Sequence, residues 1–173
     1  MVFFNRGLML GGTTTGLLLL FPAAVAQALA PVEVGLWALG GLTLVAAGCD
    51  MKLLPFRLPQ NGRQVPSDII VRADGSGALQ FGFEMGTGLR TYVPTHLPYL
   101  LVASVLFVVP WWAAPLAGLA FGFGRTIMVH SAVRSGNAAT WDKAFAARRT
   151  PILGVCWAAT LVGLALIAWS AVQ

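Results

Sequence analysis

The sequence predicts an all-α polytopic membrane protein with about five transmembrane helices and one re-entrant or proline-broken segment. Three observations carry that prediction. Hydrophobic residues make up 57% of the chain and charged residues only 10%, against about 25% charged in a soluble domain. The mean hydropathy is +0.77. Apolar runs recur between short polar stretches, several of them near the ~20 residues that a spanning helix needs. A length of 173 residues fits roughly one domain, here a single transmembrane domain over 1–173 with loops at 50–77 and 132–149. There is no room for a large soluble domain besides.

The first run, Gly7 to Ala30, follows Arg6 and is interrupted only by Pro22. Its length predicts a retained spanning helix. The basic start and the small residues Ala26, Ala28 and Ala30 keep a secretory signal peptide as a second reading. Val34 to Gly48 is the second span, ending at Cys49 and Asp50. From Asp50 to Gly77 the chain carries Lys52, Arg57, Arg63 and Arg72 among Pro55, Pro59 and Pro66. That composition disfavours helix and reads as a membrane-adjacent loop, with a short strand and turn at Asp68 to Gly75. Leu97 to Trp111, Ala113 to Ser131 and Pro151 to Val172 are the remaining spans. Between Ser135 and Arg149, the spacing of Trp141, Ala144, Phe145 and Arg148 suits a short helix on the membrane surface, where Arg148 and Arg149 meet headgroups.

Ala78 to His96 is the irregular segment. It is apolar enough to enter a membrane but carries Glu84, Arg90, Gly82, Gly86, Gly88, Pro94 and His96. Lys and Arg in short loops concentrate on the cytoplasmic side. If this segment dips in and returns, Arg6 and both basic loops face the cytoplasm, Trp111 and Trp112 lie in the opposite aromatic belt, and the C-terminus is exterior. A full crossing by 78–96, added to a crossing by 97–111, would separate the basic loops.

Gly12/Gly16, Gly82/Gly86 and Gly118/Gly122 are GxxxG pairs, a spacing that brings helices close in lipid. They pack helices within one chain, or join the chain to a second copy or another membrane protein. The partners expected are the lipid bilayer and such a membrane partner. The net charge is +5 and the pI about 10.0, but no basic stripe interleaved with aromatic residues is present, and nucleic acid is not expected.

An unpaired charge in lipid costs roughly 2.5 to 3.5 kcal/mol on insertion scales. Glu84, Arg90 and Arg125 fall at membrane depth, so an ion pair between Glu84 and Arg125, or a cluster with Arg90, is expected. The readings for it are a substrate or ion pathway, a structural pin, and arginines extended to the interface. Just beyond, Gly88 to Tyr99 reads GLRTYVPTHLPY. Prolines remove backbone donors, and freed backbone at membrane depth must be buried in protein or line a cavity. Pro94 to Pro98 is therefore the candidate break, with Thr91, Tyr92, Thr95, His96 and Tyr99 as its polar groups.

The stretch Pro94-Thr95-His96-Leu97-Pro98-Tyr99, preceded by glycines and a hydroxyl residue, resembles the broken first helix of the repeats in the DsbD/CcdA thiol-disulfide transporters and their wider superfamily. There Pro-Cys-x-x-Pro is typical. Thr95 stands in the place of the redox cysteine, and a single such motif is visible across about a dozen residues. The resemblance implies a related membrane architecture around a proline-broken helix.

Cys49 and Cys156 match no metal-ligand spacing and no CxxC pair. They read as packed thiols, with a redox pair as the rival. No HExxH, phosphate-binding loop, haem-ligand arrangement or nucleophile and base pair occurs, so neither enzyme, cofactor nor metal is expected. Three classes remain: a small transporter with its site at the broken helix, a non-catalytic membrane subunit of a larger complex, and a thiol-disulfide electron-transfer protein.

Overall fold

A computed structural model describes residues 1–55, 75–88, 95–134 and 136–172. The described residues form six α-helices: α1 (Val2–Leu29), α2 (Val32–Asp50), α3 (Ser76–Gly86), α4 (Leu97–Phe107), α5 (Ala114–Arg134) and α6 (Ala138–Val172). A single 3-10 turn, Trp111–Ala113, joins α4 to α5. Four of these helices are long and apolar enough to cross a membrane, within Val2–Leu29, Val32–Asp50, Trp111–Arg134 and Thr140–Ser170.

The count corrects the expectation of five spanning helices. Residues 97–111 do not form one, because α4 has 11 residues and reaches roughly 16 Å at 1.5 Å per residue, about half the hydrocarbon core. It stops at Val108, ahead of Pro110, whose missing N–H and fixed φ end a helix. The second correction concerns residues 135–149. No separate surface helix forms there. Trp141 and Phe145 do stack, with ring centroids 5.9 Å apart, but α6 runs on through Pro151 as one helix of 35 residues. Of the expected 132–149 loop, the described residues outside a helix are 136 and 137. The strand expected at Asp68 to Arg72 lies outside the described residues.

Helix α1 is the one on which the others assemble, and its glycines explain why. Gly7 and Gly11 lie on one face and Gly12 and Gly16 on a face about 100° away. A Cβ at Gly7 or Gly11 would strike the backbone carbonyls of Leu79 and Phe83 in α3. One at Gly12 or Gly16 would strike those of Gly118 and Ala114 in α5. The fit is reciprocal, since Gly82, Gly86, Gly118 and Gly122 meet α1 backbone at Phe4, Leu8 and Gly12. Both neighbours converge on Leu8, which is fully buried. The three GxxxG pairs thus pack helices within the chain, and a fourth pair, Gly7/Gly11, joins them.

These contacts fix direction. Gly7 lies against Leu79, Gly11 against Phe83, and Thr15 Oγ1 donates to the Thr87 carbonyl at 3.1 Å, so α3 runs parallel to the first half of α1. Ala23 packs with Val105, and Gln27 Nε2 reaches the carbonyls of Val105 and Val109 at 3.0 and 2.8 Å, so α4 ends beside the second half. At its other end, His96 meets Asp50 at the close of α2, while Phe107 meets Gly35 near the start of α2. Helices α3 and α4 therefore follow one another in the same direction along α1. Helix α5 runs back, with Ala114 at the level of Gly16 and Gly122 at that of Leu8.

Two short helices that end inside the bundle leave carbonyls without helical partners, and α1 supplies the donors. Thr15 bonds the Thr87 carbonyl beyond α3, and Thr87 Oγ1 turns back to Glu84 O at 2.8 Å. Gln27 serves the end of α4. The hydroxyls of Thr13 and Thr14 bond Met9 and Leu10 of their own helix, each at 2.8 Å, so the threonine run is satisfied internally.

Gly12→Leu is expected to destabilise the bundle by more than the roughly 1–3 kcal/mol of ordinary overpacking, because backbone rather than a side chain stands in the way. Gly41→Leu, where nothing lies within 4 Å of an added Cβ, is the matched control. Thermal denaturation of the two purified variants in detergent should separate them, and equal melting points would refute the seam.

Candidate functional site

The polar centre of the fold is built where α2 ends and α4 begins. Asp50 is the last residue of α2 and His96 the N-cap of α4, a boundary set by Pro98 in the first turn, where a missing N–H costs nothing. The Asp50 carboxylate accepts the His96 backbone N–H at 3.1 and 3.2 Å and faces His96 Nδ1 at 2.5 Å. From α6, Trp157 Nε1 donates to Asp50 Oδ2 at 3.0 Å. One carboxylate therefore ties three helices together.

Burial makes these bonds matter. The side chains of His96 and Asp50 are 10% and 4% exposed, and a buried carboxylate without donors would cost several kcal/mol. Asp50 also sits at the positive end of the α4 dipole, where a negative charge is favoured. The arrangement also fixes the imidazole. A carboxylate only accepts, so Nδ1 carries the hydrogen and neutral His96 presents Nε2 as a bare lone pair. That atom is buried and has no hydrogen-bond partner among the described residues.

Of the residues singled out from sequence, Thr95, His96, Pro98 and Tyr99 gather here. Thr95 and Tyr99 are half-buried, and the Tyr99 ring lies 6.3 Å from that of His96. Arg90, Thr91, Tyr92 and Pro94 lie outside the described residues. Glu84 is half-buried on α3 and accepts from Gln80 Nε2 at 3.4 Å. Arg125 is half-buried on α5, 5.7 Å from the centroid of the Phe121 ring. Cys49 is buried and Cys156 exposed, both as free thiols, and each is the sequence neighbour of a residue in the cluster.

Asp50 and Trp157 were not legible as site residues. Asp50 closes an apolar run and reads as its polar boundary, and Trp157 sits among apolar residues with only its indole N–H to mark it. A charge at the end of a spanning run, with a histidine at a proline break, is the signal that could have found the pair. Among the described residues no group of three His, Cys, Asp or Glu side chains could hold a metal ion.

Trp157→Phe keeps the ring and removes the donor to Asp50. A hydrogen bond to a charged group contributes about 1.5–3 kcal/mol, so the variant should unfold at a lower temperature than wild type, with its helical content retained. A Trp157→Phe protein as stable as wild type would show that α6 is held without this bond. The chain matches no family model, no curated protein and no solved structure.

Proposed function

We propose that this chain is a small transporter-like membrane protein whose site is the Asp50–His96–Trp157 cluster beside the broken crossing made by α3 and α4. The observation that carries this reading is a buried ionisable pair at a helix break, with one imidazole nitrogen unused. Polar groups at membrane depth mark substrate or ion pathways by default, and discontinuous helices line such sites in transporters. The likeness of the Pro94 to Pro98 break to the DsbD/CcdA superfamily supports the same architecture. With Thr95 in the cysteine position and both cysteines unpaired as disulfides, the proposal involves solute movement and not thiol exchange.

A second reading has its own observation. Helix α6 has no buried side chain among those described and touches the rest chiefly through Trp157. A face left so open suits lipid or a neighbouring membrane subunit, so a non-catalytic role in a larger complex is the alternative. Proteoliposome uptake of labelled amino acids, sugars, carboxylates and nucleosides tests the choice. At least one class should accumulate above empty liposomes, and His96→Gln should reduce its rate about tenfold or more, in line with the loss of a hydrogen bond to a charged group. No uptake of any class, with a stoichiometric protein retained through purification, would favour the subunit reading.

The orientation proposed has Arg6, residues 50–77 and the region around Gly136 and Asn137 in the cytoplasm and the C-terminus outside. Gly75 lies against Phe3 and Arg134 extends roughly 18 Å beyond the Leu8 level, so Phe3, Gly75 and Arg134 lie toward one end of the bundle, which supports this orientation. The charge rule then assigns that end to the cytoplasm. Single cysteines at Asn61 and Asn137 in a Cys49→Ser, Cys156→Ser background should react with impermeant maleimide from the same side. Labelling from opposite sides would end this topology.

A further inference from the structure

We propose that His96 Nε2 is a proton-binding site, and that a proton is the ion whose movement drives or accompanies transport through this chain. The inference deepens the transporter reading and rests on it only for the word transport.

The geometry selects the proton over other ligands. Asp50 holds the Nδ1 hydrogen, so the Nε2 lone pair of the neutral ring is the one basic position left in the cluster. It is buried and meets no hydrogen-bond donor among the described residues, so a solute or hydrated ion does not reach it in this conformation. A metal would need further ligands, and no three metal-ligating side chains come together among the described residues. A proton needs only the lone pair. Charge balance points the same way. With His96 neutral the buried pair carries the net charge of Asp50, whereas a proton on Nε2 makes an imidazolium beside a carboxylate and brings the pair to zero.

The step is a single protonation. Nε2 takes H⁺ from a hydronium ion, one O–H bond breaking as one N–H bond forms, and the reverse step returns H⁺ to water; because the atom is buried, each exchange requires the cluster to open to water. The groups near the ring are few. Asp50 faces it from α2, where Cys49 is buried alongside, and Tyr99 faces it from α4. Helix α6 contributes Trp157 to the same carboxylate, with Cys156 exposed beside it. On α1 the cation is Arg6, and α5 carries Arg125 and Arg134 with His130; Arg6, His130 and Arg134 are exposed, as is Lys52 just past α2.

The test is nitrogen NMR of the full chain labelled with 15N-histidine in lipid nanodiscs, in a His130→Gln background so that one ring is observed. At alkaline pH, Nδ1 should give a protonated-type signal and Nε2 an unprotonated one. On acidification, Nε2 should move to the protonated type while the protein stays folded. An Nε2 that stays unprotonated at every pH where the fold persists, or that already carries the hydrogen at alkaline pH, would overturn the proposal. Asp50→Asn should replace the single tautomer with a mixture, and an unchanged tautomer would refute the role given to Asp50. The wild-type titration decides the matter even if that variant does not fold. Solute uptake separates the two ideas: titration without uptake removes transport and leaves the proton site, and uptake with a silent Nε2 does the reverse.

Discussion

Backbone contact across α1 is the constraint on which the rest of this fold depends. In lipid the solvent is as apolar as the side chains, so helices gain little from burying them and rely on close packing. Helix α1 meets that condition twice, with Gly7 and Gly11 turned to α3 and Gly12 and Gly16 turned to α5. Where carbonyls come this near to glycine Cα atoms, weak C–H···O contacts add to dispersion. The core that results is small. Leu8, Leu100 and Val105 are its largest fully buried side chains, and most other large apolar groups face outward, as lipid-facing residues do.

Close packing on α1 also permits a helix to be broken. A chain interrupted at membrane depth exposes the last carbonyls of one half and the first amides of the other, each costly in hydrocarbon. Thr15 and Gln27 meet the carbonyls of α3 and α4, and Asp50 meets the first amide of α4. These donors and acceptors come from α1 and α2, so the interrupted crossing is stable only inside the assembled bundle. Gln27 is the clearest case, an amide on an otherwise apolar stretch whose two hydrogens are both directed to the end of a neighbouring helix.

Periodicity and run length made the all-helical architecture legible, along with the bounds of α1 and α2 to within a few residues. They failed at 97–111, where hydropathy continues past the point at which Val108 to Pro110 leaves the helix, because an apolar run records solvent preference and not backbone conformation. The proline break could be read, since proline acts through local geometry. Its partner could not. Asp50 and His96 are separated by 46 positions, and no local pattern records which helix end will meet which. Trp157 was still less visible, since an indole in a spanning run usually means only apolar area. The glycine pairs were legible as seams, but Gly7/Gly11 was hidden beside Gly12/Gly16, where two overlapping four-residue spacings read as one glycine-rich stretch.

The fold and the candidate site therefore have one origin. Once the third crossing is split, some acceptor must take the amide that opens α4, and a carboxylate does so with help from the helix dipole. A carboxylate in that position must itself be neutralised or saturated with donors. Backbone N–H, imidazole Nδ1 and indole Nε1 supply them, from two further helices. A histidine used only as a donor through Nδ1 would have served as well with its second nitrogen accepting from a neighbouring hydroxyl or turned to solvent. Here it is neither, and leaving a buried nitrogen unpaired costs about 1–3 kcal/mol. The ends of the two half-helices are satisfied by α1 and α2, and the His96 Nε2 lone pair beside them is left without a partner among the described residues.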